Sequence, residues 1–496
     1  MRIRNKKDLI NHGNKEGRKI VAELLDAGLD SIDPYYRVKD FVKIEDHKIV
    51  LDDRGYEMKG DPHSGRIEYD LDYYERVFVI GAAKGIQRAA LAFEEVLGDY
   101  LTAGHVIGKH GETIICKKIG VTLAGHPVPD ENCMEGCRAI EELTKDLTER
   151  DLVFTVFGSG CGSLFTYPAD DISMKEISDF TYMMQIEKGV PTSELNQIRT
   201  HIDRLKGGRL LRKMMPATVV NFVTADPSKM NTPVLRVSYF EMLNKNTFFP
   251  TVATASTFED CIRIIQKWDA WDKTPESIKN RLLHGNSKNE NMSTEEYESL
   301  GCRFFGLIFK DSTIYPAVRK KAKELGLDCV MLSEYMQAEA KEAGFVDAGV
   351  ALTSKRLGEP FKAPVVLMSS GENLVTVGKE TGVGGRNQEY CIAAATYIEG
   401  DESIVFGAVD TDGTDGPGGL KLDGAPYCLA GAIVDGYTVK ESKEQGIDLE
   451  SALKTHGTSE AMWKLGCGIS AESCVSALDL RIIYIGDQEV KLCHLL

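Results

Sequence analysis

Four times in this chain a short, unbroken apolar run stops at a cluster of glycine, serine or aspartate. The runs lie at 77–80, 152–157, 363–368 and 403–408, and they lead into Gly-Ala-Ala-Lys-Gly, Gly-Ser-Gly-Cys-Gly-Ser, Ser-Ser-Gly-Glu and Val-Asp-Thr-Asp-Gly-Thr-Asp-Gly-Pro. An apolar run without alternation is the pattern of a strand buried on both faces, which parallel sheets require. Parallel neighbours need long crossovers, usually helices. The pattern therefore predicts an α/β fold with mainly parallel sheets. Ligands in such sheets collect at the carboxyl ends of the strands, so function is expected in the four loops.

A chain of 496 residues is too long for one ordinary core. The polar stretch 286–296 is the candidate linker, giving domains at 1–290 and 297–496. A net charge of -16 argues against nucleic acid and anionic membrane as partners. No apolar run is long enough to span a bilayer, and residues 1–17 carry no signal-peptide pattern. The 12 cysteines include no Cys-x-x-Cys pair, so reduced thiols and a cytoplasmic location are expected.

The richest stretch is 369–389, SSGENLVTVGKETGVGGRNQE. Glu372 is expected at the end of a strand, and 374–377 as a short returning strand. Gly382, Gly384 and Gly385 then form a turn delivering Arg386 and Asn387 to a helix over 390–397. A helix start offers unpaired N–H groups to an anion, and Arg386 adds a fork that fits carboxylate or phosphate.

The other loops add to this set. Lys84 is expected in the first turn of the helix after 77–80, where a cation gains nothing from the dipole and points to an anionic ligand. Ser159, Gly160, Gly162 and Ser163 make a donor-rich loop suited to cradling phosphate. His126 stands in a rigid Gly-His-Pro-Val-Pro loop after an expected strand at 113–117 and can bind a ligand, transfer a proton or simply brace the loop. Asn196, Arg199 and Lys206 cluster in and before an expected helix over 198–215, with Arg199 and Lys206 on one face. Asp410, Asp412 and Asp415 follow the run at 403–408, and oxygen ligands so placed suit Mg²⁺. An amphipathic helix is read over 9–31 and a strand over 304–309.

The motifs GAAKG, GHPVPD, FGSGCGS, ELNQIRTHIDRLKGGRL, SSGE, GGRNQE and DTDGTDGP together resemble, in order, those of the glycerate 2-kinase family, whose C-terminal half is called the MOFRL domain. The resemblance covers nearly the whole chain. It implies a Rossmann-like N-terminal domain and a MOFRL-like C-terminal domain with the active site in the cleft between them. ATP and Mg²⁺ would be the reagents and the 2-hydroxyl of D-glycerate, or of a related small hydroxy acid, the acceptor. Lys84 and Arg386 match positions carried as catalytic, with Asp410 beside them. Two loops depart from the family. Residues 223–228 lack its acidic pattern and the Ser-Gly-Pro-Thr after it, and 468–475 lack its Thr-Asn pair. Two alternatives follow: an NAD(P)-dependent hydroxypyruvate reductase, a name often attached to similar sequences, and a non-catalytic ligand-binding paralogue. Against the reductase, no Gly-x-Gly-x-x-Gly follows any run. Self-association into a homo-oligomer is left open.

Overall fold

The computed structural model describes residues 2–52, 55–229, 237–285, 290–309, 313–380, 382–475 and 478–487. They form two compact units, one of residues 33–309 and one of 2–32 with 313–487.

The first unit holds β1 (Val42–Glu45), β2 (Lys48–Leu51), β3 (Ile67–Asp70), β4 (Arg76–Ala82), β5 (Leu101–Lys109), β6 (Gly120–Ala124), β7 (Asp151–Phe157), β8 (Thr218–Val223) and β9 (Arg303–Gly306). β1, β2 and β3 form a small antiparallel sheet. The main sheet has the order β6-β5-β4-β7-β8-β9, and every pairing in it is parallel. The chain winds outward one way from β4, then returns and winds the other way from β7, the doubly wound order of dinucleotide-binding sheets. Its topological switch point lies between β4 and β7. All seven residues of β7 are buried, as the unbroken apolar run predicts. β5 was not legible as a strand, because Gly104 and Gly108 interrupt its apolar pattern. Gly104 is needed there, since a Cβ would lie 2.5 Å from the Val79 carbonyl oxygen. The strand expected at 113–117 is irregular, and β6 follows it instead.

The second unit holds β10 (Asp328–Met336), β11 (Val365–Gly371), β12 (Ile404–Asp410), β13 (Gly431–Asp435), β14 (Gly468–Ile469) and β15 (Asp479–Ile485), in the order β10-β11-β15-β12-β13-β14. β10 and β11 are parallel, whereas β15 runs antiparallel between β11 and β12. β13 runs against both β12 and β14. Register pairs Asp479, the first residue of β15, with Gly371 and Asp410, the last residues of β11 and β12. The amino end of an antiparallel strand thus reaches the edge where the carboxyl ends of its neighbours lie.

The two-unit α/β class holds, but the units differ from the expected 1–290 and 297–496 at both ends. The helix Lys15–Ser31 belongs to the second unit. Its small residues let it lie close to that sheet: Cβ atoms at Gly17 and Gly28 would meet Val405 and Leu480 side chains at 2.6 and 2.4 Å. Arg18 on this helix is fully buried and pairs with Asp435 at 2.5 Å. Burial opposes its charge, but Cys467 and Asp435 outweigh burial and keep it protonated. At the other end, β9 closes the first sheet rather than opening the second. Within the expected linker, 286–289 lie outside the described residues, Asn291 is buried, and the helix Thr294–Ser299 leads straight into β9.

Candidate active site

In the first unit the loops after β4 and β7 meet at the switch point. Lys84 occupies a turn at 84–86 ahead of the helix Gln87–Leu97, not the helix's first turn. Its amide donates to the Ser159 carbonyl at 2.8 Å, which ties the two loops together. Gly160 has φ +89°, and a Cβ there would lie 2.9 Å from Lys84 Cγ and 3.3 Å from His126 Cδ2. Lys84, Gly160 and His126 are therefore brought together. A Cβ on Gly162 would lie 2.7 Å from Asn196 Oδ1 and 3.2 Å from Arg199 Nη1, so the same loop also covers Asn196 and Arg199. Ser163 is not a ligand donor here: its hydroxyl donates to the Gly125 carbonyl at 3.1 Å in the interior and braces the His126 loop.

The expected helix over 198–215 is two helices, Thr192–His201 and Arg209–Met214. Gly207 and Gly208, with φ +64° and +81°, break it. Lys206 thus shares no helix face with Arg199. Its ammonium is buried against Asp203 at 3.2 Å and Thr166 Oγ1 at 3.1 Å, a structural pair rather than a ligand group.

In the second unit, Arg386 begins the helix Arg386–Tyr397. Its Nε donates to both oxygens of Asp479 at 3.0 Å, and Nη2 reaches Asp410 Oδ2 at 2.7 Å. Nη1 lies 3.5 Å from Glu372 Oε1. Burial opposes the charge on Arg386, yet Asp479, Asp410 and Glu372 outweigh burial and hold it protonated. Asp479 is buried and also accepts from Asn387 Nδ2 at 2.9 Å and Arg481 Nη2 at 2.5 Å. Sequence reasoning missed Asp479 and Arg481; the one available signal was an aspartate at the mouth of an apolar strand. The residues 374–377 form no strand, only a single bridge from Leu374 to Glu339. Leu374, Val375 and Val377 line a cavity of about 520 Å³ together with Arg386, Glu389, Pro417 and His456. That volume is within the range of small-molecule sites. His456 Nδ1 lies 2.8 Å from Glu389 Oε1 on the cavity wall.

The helix start is not open to a ligand anion. Asp415 Oδ1 accepts from Asn387 N and Nδ2 at 3.1 and 3.2 Å, and Oδ2 accepts from Gln388 N and Nε2, both at 3.0 Å. Asp415 does for this helix what an N-cap side chain normally does, because the N-cap residue is Gly385. A Cβ at Gly385 would lie 2.4 Å from Asp415 Oδ2, so only glycine admits the carboxylate. Gly384 and Gly416 are likewise needed for backbone packing: a Cβ on Gly416 would lie 1.9 Å from the Gly384 carbonyl oxygen. The glycines serve chain-on-chain packing rather than a phosphate cradle, and the N–H donors of Asn387 go to Asp415 and Asp479.

The expected metal ligands lie among these contacts. Both oxygens of Asp415 are committed to N–H donors. Asp412 Oδ1 accepts from Thr414 N at 2.8 Å and Oγ1 at 2.7 Å, and Asp410 faces Arg386. Among the described residues no group of three or more His, Cys, Asp or Glu side chains is arranged to hold a metal ion. Asp412 and Asp415, read from the sequence as Mg²⁺ ligands, thus make local loop and helix-start contacts in this structure.

Burial pushes Asp415 up to about 6, against the opposing pull of Arg386 and the helix-start donors. Between its ordinary value of 3.8 and about 6 the folded unit keeps a proton that the unfolded chain has released. The contribution of Asp415 to stability therefore falls as pH rises through that window and is level above it. Urea unfolding from about pH 4 to 8 is expected to show this decline in the parent protein and its absence in Asp415→Asn, on top of a constant loss from the broken cap. A variant with the parent's slope would refute the assignment.

Residues 20–283 match the family described as a domain of unknown function, DUF4147, and residues 365–474 match the MOFRL family. A glycerate 2-kinase from Pyrococcus horikoshii is 32% identical over 449 residues, covering 90% of this chain and 92% of that protein. The chain belongs to the glycerate 2-kinase family. A D-glycerate 2-kinase from Thermotoga maritima is also 32% identical, over 79% of this chain and 86% of its own length. A crystal structure of glycerate kinase from T. maritima superposes with a TM-score of 0.71 at 28% identity, covering 94% of this chain and 99% of that one. The DUF4147 match falls mostly on the first unit and the MOFRL match on the second, so both family halves carry one of the two residue sets described above. The departing loops have local structural roles in this chain. Asp226 Oδ1 accepts from Ser228 N and Oγ at 3.1 and 2.6 Å, and Glu472 pairs with Arg2 at 3.1 Å.

Proposed function

We propose that this chain is an ATP-dependent kinase acting on the 2-hydroxyl of D-glycerate or a closely related small 2-hydroxy acid. The observation that carries the reading is the 32% identity to a glycerate 2-kinase over 90% of the chain. In the reaction the 2-hydroxyl oxygen forms a bond to the γ-phosphorus, the bridging P–O bond of ATP breaks, ADP leaves and the hydroxyl proton is released. Such transfer depends on positioning and charge stabilisation more than on covalent help from the protein. Lys84 and Arg386 are the cations proposed to offset phosphoryl charge, and Asp410 the carboxylate proposed to orient the attacking hydroxyl. In the first unit Gly160 and His126 lie beside Lys84, and in the second Glu372 lies 3.5 Å from Arg386. Mg²⁺ would arrive with the nucleotide, held by phosphates and water, and no step here is assigned to it. No helix among the described residues is long and apolar enough to cross a membrane, and the described cysteines are free thiols, which suits a reducing cytoplasm.

A coupled ADP-release screen over D-glycerate, erythronate, threonate, glycerol and erythritol tests the reading. D-Glycerate is expected to give the highest kcat/KM, with glycerol lower by at least about 100-fold, because a site built for a carboxylate leaves charged groups unpaired when it is missing. Faster phosphorylation of the neutral polyols would overturn the substrate class. Oxidation of NADH or NADPH by hydroxypyruvate without ATP would point to a reductase, and ligand binding without ADP release for any acid to a non-catalytic protein.

A further inference from the structure

Arg199 stands out among the charged residues of the first unit. It is 5% exposed, and among the described residues no carboxylate lies within ion-pairing distance. Its Nη1 donates to Asn196 Oδ1 and its Nη2 to Gln185 Oε1, each at 3.1 Å, and both acceptors are neutral amides. Its Nε is buried with no hydrogen-bond partner. Of the other buried cations of this unit, Lys206 pairs with Asp203 and Arg303 with Glu57, while Arg209 donates to Asn291 Oδ1 and to the Thr200 and Asp203 carbonyls. Leaving a buried guanidinium without counter-charge costs free energy unless an anion completes it. Burial accordingly pulls Arg199 down to about 10, opposed only by the Cys161 and Cys133 thiols.

The surroundings hold this group in place rather than hide it by accident. Gln185 comes from Tyr182–Glu187, a stretch wound as a π-helix, a departure often found at functional positions. Gly162 covers Nη1 so closely that a side chain there would collide with Asn196. Two residues earlier the same loop meets Lys84 and His126.

We propose that Arg199, propped by Asn196 and Gln185, is the residue that receives the carboxylate of the acceptor acid. The inference rests on the kinase reading above and names the part of that site which selects an acid. One carboxylate balances one guanidinium, and the unused N–H groups of Arg199 present the planar edge that carboxylates pair with. A phosphate of the nucleotide is the competing source of the same oxyanion chemistry, and the experiment separates the two.

The experiment compares Arg199→Lys and Arg199→Met with the parent enzyme. Steady-state kinetics are measured on D-glycerate, ATP and glycerol, and thermal shifts with D-glycerate alone and ATP alone. The expected result is a KM for D-glycerate raised about tenfold in Arg199→Lys, which keeps the charge but loses the fork, and about 100-fold in Arg199→Met. The KM for ATP should stay within about threefold, and the preference for D-glycerate over glycerol should shrink by the same factor as the acid's affinity. D-Glycerate should raise the melting temperature of the parent but not of Arg199→Met, whereas ATP should raise both. A raised KM for ATP with that for D-glycerate unchanged would assign Arg199 to the nucleotide and overturn the proposal. So would unchanged KM values in a destabilised variant, the signature of a structural residue. A parent enzyme that shifts with D-glycerate yet releases no ADP would sink the kinase reading and leave the carboxylate assignment to the thermal-shift comparison. Failure to shift with D-glycerate would overturn the assignment.

Discussion

Arg386→Ala is expected to lower turnover on D-glycerate by about three orders of magnitude, the scale found when a fixed cation facing a transferring phosphoryl group is removed. The size of the effect follows from how rigidly the side chain is held. Asp479 grips Nε with both oxygens at 3.0 Å, and Asp410 takes Nη2 at 2.7 Å. The guanidinium is thus already positioned before any ligand arrives, and little reorganisation is needed at the moment of reaction. The same grip means that the substitution is not silent for stability. Asp479 and Asp410 are register partners at adjacent strand ends, and without Arg386 their two carboxylates would face one another, with Arg481 beside Asp479. Breaking a buried pair in this way costs about 3–5 kcal/mol, so a lowered melting temperature should accompany the lost rate. Arg386→Ala with Asp410→Asn removes one stranded charge and leaves Asp479 paired with Arg481. It should recover part of the stability and none of the turnover, as read by thermal unfolding and ADP release. Near-parental rates in Arg386→Ala, or turnover restored in the double variant, would remove Arg386 from the reaction.

The same residues show which parts of the site were legible in the sequence. β4, β7, β11 and β12 each begin a strand–loop–helix or strand–loop passage whose composition changes sharply at the strand end, and all four were read correctly as buried strands. Lys84, the 158–163 loop, Arg386 and Asp410 were legible as candidates because each lies at or beyond the carboxyl end of a buried apolar strand. Asp479 was not legible, because β15 is antiparallel and brings its amino end there; direction is fixed by pairing, which local composition does not encode. Asp415 was visible as an acidic loop residue but not as a helix cap, since its partners Asn387 and Gln388 lie far away along the chain. The absence of a capping side chain at Gly385 was the clue. Lys206 and Arg199 were assigned one helix face from their spacing, and the left-handed Gly207 and Gly208 removed it. The helix Lys15–Ser31 was found with nearly the right span, yet nothing local says that it packs on strands that begin almost 400 residues later.

Lys84→Ala should lower turnover by about two to three orders of magnitude with almost no change in melting temperature, the reverse balance to Arg386. The turn that carries Lys84 is fixed through its backbone, by the amide bond to the Ser159 carbonyl at 2.8 Å, so truncating the side chain leaves the local frame standing. The residue is only partly buried, which limits the packing lost. Lys84→Arg is expected to restore little, because the loop wall at Gly160 lies against the stem and leaves a longer, planar head group no equivalent position. Gly160→Ala provides a second, independent route to the same group. Its Cβ would lie 2.9 Å from Lys84 Cγ at a backbone φ of +89°, so the Lys84 stem must move while its charge is kept. A loss of roughly 10-fold or more in kcat, with D-glycerate and ATP affinities changed far less, is the expected outcome, since a misplaced charge weakens the transition state more than the ground state. Combined with Lys84→Ala, Gly160→Ala should add almost nothing, because both changes act through one ammonium group. Parental turnover in Lys84→Ala, or fully additive losses in the double variant, would show that the charge at the switch point is not used in the reaction.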